Sequence, residues 1–211
     1  DWCGWCTKMD KSTFSDQKVI DIMNRNFICI KYNPETDGNV LYKNKSHTPQ
    51  EIKNTLRVSG YPSTVFLSEG KLDRVSSISG YRSSDDFLSI LDFMNNKLYG
   101  KMDVDQYVGF SRYIKYEQRN PGNPDINFVI GFFYQYEMKN LAEAKKHFNN
   151  VIKADPNYAE AYLCLRDIAK YEGRTNEAND WDSKAKRAGY DPKITITDKL
   201  NEAVRKTSSL L

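Results

Sequence analysis

Strand patterning stops near Gly100. Before it, short β-branched and aromatic runs such as "STVFL" alternate with helical ones. From Asp103 to Leu211 every apolar pattern has helical spacing, broken only at "NPGNP", "ADPN", "EGR" and "GYDP". A mixed segment and an all-helical one do not share one layered core, so two domains are expected. They are an α/β domain over residues 1–102 and an all-α domain over residues 103–211. A chain of 211 residues is long enough for each to bury a core of its own.

The helical half repeats itself. "NLAEAKKHFNNVIKADPN" aligns with "RTNEANDWDSKAKRAGYDP", so that Ala144 matches Ala178 and Val151 matches Ala185. The preceding runs "DINFVIGFFYQYEMK" and "AEAYLCLRDIAKYEG" align as well, with Phe128 opposite Tyr162. The period is about 34 residues, which is that of a stacked helix–turn–helix unit. Ala144, Phe148, Pro156, Ala161, Tyr162, Gly173, Ala178 and Ala185 together resemble the tetratricopeptide pattern over two repeats. The first repeat carries an extra residue after Gly131, and Arg166 stands where glycine is usual. Two repeats cannot cap their own apolar faces, so Val104–Arg119 and Asp198–Thr207 are expected to complete the stack. The resemblance implies a groove that binds a peptide or protein; the plainer reading is a helical spacer.

In the first half, "TKMDKSTFSDQKVIDIMNRN" reads as helix with a break at "STFSD", after which Ser15 or Asp16 can cap a second helix. "FICIKYN" reads as a buried strand and "PETDGNVLYKNKSH" as an inserted loop. Thr48, Pro49 and Glu51 form a helix start signal: an N-cap, a proline at the first helical position, and a capping-box glutamate. "STVFLSEGKLDRVSSISGY" predicts two strands around Glu69-Gly70. An amphipathic helix follows, burying Phe87, Ile90, Leu91 and Met94 and stopping before Gly100.

The chemistry of this half sits in "DWCGWC". Cys3 and Cys6, at i and i+3 on a first helical turn, share a face and can bond. The positive end of the helix favours a thiolate there. In such an arrangement Cys3 is the exposed nucleophile and Cys6 the resolving thiol. A structural zinc site needs four ligands, and Cys29, Cys164, His47 and His147 are isolated from the pair and from one another. A purely structural disulfide across so short a loop would add little stability. Cys29 and Cys164 lie in apolar runs and read as buried small hydrophobes. Pro62, after Gly60 and Tyr61, opens a predicted strand. It is either an ordinary turn proline or one that leaves the Tyr61 backbone groups free for a partner.

"DWCGWC", "GYPSTVFLSEGKL" and "ISGYRSSDDFLSILDFMNNKL", in that order, resemble the thioredoxin family. "MDKSTFSDQKVIDIMNRNFICIKYN" looks like the branch that includes the soluble domains of bacterial periplasmic disulfide-interchange proteins. The resemblance implies that Cys3 and Cys6 form a redox-active dithiol with Pro62 as a cis-proline beside it. It also implies that Trp2 packs at the site and that the compartment is the periplasm. Trp5 would lie at the surface against apolar parts of a substrate, and Gly60, Tyr61 and Pro62 would hold the substrate chain. Gly4-Trp5 replaces the Gly-Pro of thioredoxin itself, which leaves the redox potential open. The strand that precedes the cysteines in the family, central in its sheet, is not in this sequence. The natural polypeptide is therefore expected to extend upstream of Asp1.

These readings point to a thiol–disulfide oxidoreductase. It acts on protein thiols and disulfides, exchanges electrons with a reducing or oxidising partner protein, and needs no cofactor beyond the cysteine pair. A rival class stays open: a non-enzymatic adaptor in which the repeats bind partners and the first domain is structural. Net charge is +3 with no basic stripe, which gives nucleic-acid binding little support. The longest apolar run, Phe128 to Tyr134, is far too short to span a bilayer.

Overall fold

The computed structural model describes residues 3–211 and divides into two compact units, residues 1–108 and 109–211. The division falls inside one helix, α5 (Val104–Arg119).

The first unit opens with α1 (Gly4–Ser12) and α2 (Gln17–Asn26). The break between them has a local cause: the Asp16 side chain accepts hydrogen bonds from the Lys18 and Val19 amides and so starts α2. Helix α3 (Pro49–Thr55) begins on the full capping box of Thr48 and Glu51, with Pro49 in its first turn. Strands β3 (Ser63–Leu67) and β4 (Arg74–Ser79) form an antiparallel hairpin in which Ser63 faces Ser79 and Thr64 faces Ile78. Helix α4 (Ser84–Asn95) starts at Ser83, whose hydroxyl accepts from the Asp86 amide, and buries Phe87, Ile90, Leu91, Phe93 and Met94. It packs on α2, with Phe14 edge-on to Phe87 at 5.3 Å and Val19 fully buried.

Four sequence readings need correction here. Residues 27–32 form no strand: only Phe27 and Tyr32 are half-buried, Phe27 edge-on to Phe66 of β3 at 6.0 Å and Tyr32 with its hydroxyl donating to the Gly38 carbonyl at 2.7 Å. Ile28 is 97% exposed and Ile30 84% exposed. Among the described residues no strand pairs with this segment, so its backbone has no ladder to hold it flat. Cys29, within it, is exposed rather than buried. The segment read as a loop contains a second hairpin, β1 (Val40–Tyr42) and β2 (Lys45–His47), turned at Lys43 and Asn44. Finally, α4 does not run up to Gly100 but ends at Asn95. Asn96 is its C-cap and Lys97, at φ 52°, takes the left-handed position after it.

The second unit is built from two helix pairs. α6 (Pro124–Tyr136) packs on α7 (Leu141–Ala154), and α8 (Ala159–Tyr171) on α9 (Thr175–Arg187). Ala144, Val151, Ala178 and Ala185, aligned by the repeat, are all fully or almost fully buried. Gly131 lets α6 and α7 approach, since a Cβ there would sit 2.8 Å from the Phe148 ring. Phe110 stacks on Phe133 at 3.9 Å, as expected of a preceding helix that covers the first pair. The last helix, α10 (Ile196–Thr207), does not simply continue the stack beyond α9. It packs chiefly on α6 and secondarily on α8, burying Ala203 and Thr207 against the first helices of the pairs. Its amphipathic face finds more apolar surface there than on α9, whose sequence is the most polar of the four.

Candidate functional site

Cys3 is the N-cap of α1, and its sulfur accepts a hydrogen bond from the Cys6 amide at 3.2 Å. Its carbonyl accepts from the amides of Cys6 and Thr7 at 3.0 and 3.1 Å, which fixes the first turn. That turn brings the two Cα atoms to 5.3 Å, and the sulfurs are joined in a disulfide. Both cysteines are partly exposed, so burial does not single out one as the nucleophile. No acidic side chain stands in the first turn of α1 to oppose negative charge on sulfur. Once the bond is reduced, the Cys6 amide and the helix end are placed to stabilise a Cys3 thiolate.

Trp5, between the cysteines, is 57% exposed. Its ring lies 5.7 Å from that of Tyr81, and the Lys8 ammonium sits over both, 4.8 Å and 4.7 Å from their centroids. The Tyr81 hydroxyl lies 3.2 Å from that of Ser12, and the Thr13 hydroxyl donates to the Arg82 carbonyl, tying the end of α1 to the same loop. Sequence reasoning did not select Lys8 or Tyr81. Lys8 carried a usable signal, the i, i+3 spacing from Trp5 on one helix face; Tyr81 carried none, because it arrives through tertiary contact.

Gly60, Tyr61 and Pro62 form the half-buried loop between α3 and β3, and the Tyr61–Pro62 peptide bond is cis. The Pro62 carbonyl accepts from the Gly80 amide at 2.7 Å, which extends the β3–β4 ladder by one step. Ser63 donates to the Gly60 carbonyl at 2.6 Å, and Lys53 sits over the Tyr61 ring at 5.6 Å. Gly80 precedes Tyr81, so the proline loop connects through that residue to the Trp5 platform. Trp2 lies outside the described residues.

The other two cysteines stand apart. Cys29 is exposed, and Cys164 is wholly buried in α8, where burial pushes its thiol well above the usual range. Among the described residues no group of three or more His, Cys, Asp or Glu side chains is placed to hold a metal ion. No helix of the described residues is long and apolar enough to cross a membrane.

Residues 1–95 match the family described as a thioredoxin-like domain. The chain is also similar to a protein of Dictyostelium discoideum named DnaJ homolog subfamily C member 7 homolog, with 32% identity over 75 residues. That alignment covers 35% of this chain and 14% of the relative's length. No solved structure matches the chain. The N-terminal part is thus a thioredoxin-like domain, and a region of helical repeats follows it.

Proposed function

We propose that this protein is a thiol–disulfide oxidoreductase whose helical unit recruits a partner protein. One observation carries the reading: a disulfide closes the first turn of α1, with the Cys6 amide directed at the Cys3 sulfur. In the reducing direction the Cys3 thiolate attacks a substrate disulfide and releases one substrate thiolate. The Cys6 thiolate then attacks Cys3 of the mixed disulfide, releasing the second substrate thiolate and re-forming the Cys3–Cys6 bond. Two electrons pass to the substrate, and a second dithiol protein restores the pair; the reverse sequence oxidises a substrate dithiol. Trp5, held by Lys8 against Tyr81, offers an apolar platform beside the sulfurs. Gly60, Tyr61 and Pro62 offer backbone groups to the substrate chain. Likeness to a DnaJ-homolog protein supports protein partners for the chain.

The test is insulin-disulfide reduction by dithiothreitol. The wild type is expected to accelerate it, and Cys3→Ser to fall to the uncatalysed rate. Equal rates for the two proteins would overturn the proposal and favour an adaptor whose first domain is structural. Cys6→Ser is expected to accumulate mixed disulfides on Cys3, detected as adducts that dithiothreitol releases.

A further inference from the structure

In the helical unit a cleft of about 470 Å³ opens between the end of α7, the start of α8 and the outer side of α9. It is distinct from the α6–α8 face against which α10 packs. Its lining is mixed; the apolar and aromatic part comes from Ile152, Pro156 and the half-buried Trp181, whose indole N–H donates to Glu177 at 3.1 Å. Tyr162 flanks the indole at 6.1 Å. Three cations line the cleft, Lys153, Lys184 and Arg187, and no carboxylate does.

The neighbouring acids of α9 are already paired with cations. Asp180 pairs with Lys184 at 2.7 Å, and Asp182 pairs with Arg166 and Lys186. Asp155 accepts the Asn157 amide at 3.0 Å. Lys153 and Arg187 have no ion-pair partner among the described residues. Both stand in last turns, of α7 and α9, where a cation complements the helix dipole by about 0.3–1 kcal/mol and needs no ligand for that. The dipole does not explain why an aromatic floor lies between them, lined by Lys184 at 4.1 Å over Trp181.

We propose that this cleft binds an acidic peptide segment that alternates carboxylate and aliphatic side chains. The carboxylates meet Lys153 and Arg187 at the rim, and an aliphatic side chain covers Ile152, Pro156 and the Trp181 ring. Charge complementarity selects the segment, and the apolar floor separates it from an inorganic anion, which would leave that floor wet.

The experiment is calorimetric titration of the full oxidised chain with the peptide Ac-Glu-Leu-Glu-Leu-Glu-Leu-NH2. Saturable binding is expected at one site per chain. The double variant Lys153→Gln/Arg187→Gln is expected to weaken it by about tenfold or more. Both residues are exposed, so circular dichroism of that variant should match the wild type. Lys146→Gln, on α7 but away from the cleft, should leave the affinity unchanged, and a peptide with glutamine for leucine should bind about tenfold more weakly. No saturable binding would overturn the proposal. So would equal affinity for the double variant, or equal affinity for the leucine and glutamine peptides, which would mean unspecific attraction to a basic surface.

Discussion

Gly131 and His147 show how much of the helical unit rests on single atoms. A methyl group at position 131 would lie 2.8 Å from Phe148 Cε1, on a ring that is itself wholly buried. Replacing glycine by alanine inside a helix normally gains about 1 kcal/mol, but overpacking costs about 1–3 kcal/mol. Gly131→Ala is therefore expected to destabilise the unit in urea unfolding, and Phe148→Leu in the same chain should recover part of the loss. His147 is 6% exposed; its Nδ1–H donates to Asn127 Oδ1 at 2.8 Å, and its ring stacks on Tyr134. Burial holds its pKa below the ordinary value against the opposing pull of Glu117 and Glu143, and Lys146 adds to the depression. The unfolded chain thus takes up this proton first as pH falls. Stability from His147 is complete above about pH 6.5 and is lost progressively below it, down to the depressed folded value. Urea midpoints measured between pH 7.5 and 5 should fall more steeply for wild type than for His147→Gln. At this scale the cysteine pair was legible because its spacing is its chemistry, whereas Tyr81 joins Trp5 only through the fold.

Elements with their own chemical punctuation were read correctly from sequence, and the segments misread in the first unit are ones whose state depends on neighbours or on an unsignalled turn. Thr48, Pro49 and Glu51 start α3, and Asp16 starts α2, through hydrogen bonds made within a few residues. "FICIKY" has strand composition, yet composition does not supply a pairing strand, and the segment stays outside any ladder. The β1–β2 hairpin was hidden for the opposite reason. Its turn residues Lys43 and Asn44 both have positive φ, 51° and 61°, a geometry that Asn-Gly announces and Lys-Asn does not. That turn is the hairpin's weak point. Asn44→Val, placing a β-branched side chain in a left-handed position, should cost the hairpin about 1–2 kcal/mol. Hydrogen exchange should then quicken for the amides of residues 40–47 and remain unchanged in α4.

The whole molecule divides its four cysteines among three environments, and this can be counted. The compact units meet between Val108 and Gly109, inside the unbroken periodicity of α5. Within the first unit, Cys3 and Cys6 form a disulfide on a partly exposed helix end, and Cys29 is a free thiol on an exposed segment. In the second, Cys164 is 0% exposed, and burial raises its thiol pKa, so it lacks both access and thiolate. A water-soluble aromatic disulfide reagent should therefore titrate one thiol, Cys29, in the native oxidised chain. After dithiothreitol and its removal under anaerobic conditions, three should react: Cys29, Cys3 and Cys6. All four should react only when denaturant opens the helical unit. Of the three, Cys3 should react fastest near neutral pH, because the Cys6 amide and the helix end favour its thiolate, and Cys3→Ser should remove that fast phase. A fast phase that survives in Cys3→Ser would assign the nucleophile elsewhere. A fourth thiol reacting without denaturant would mean that α8 opens on the time scale of the assay, contrary to its complete burial.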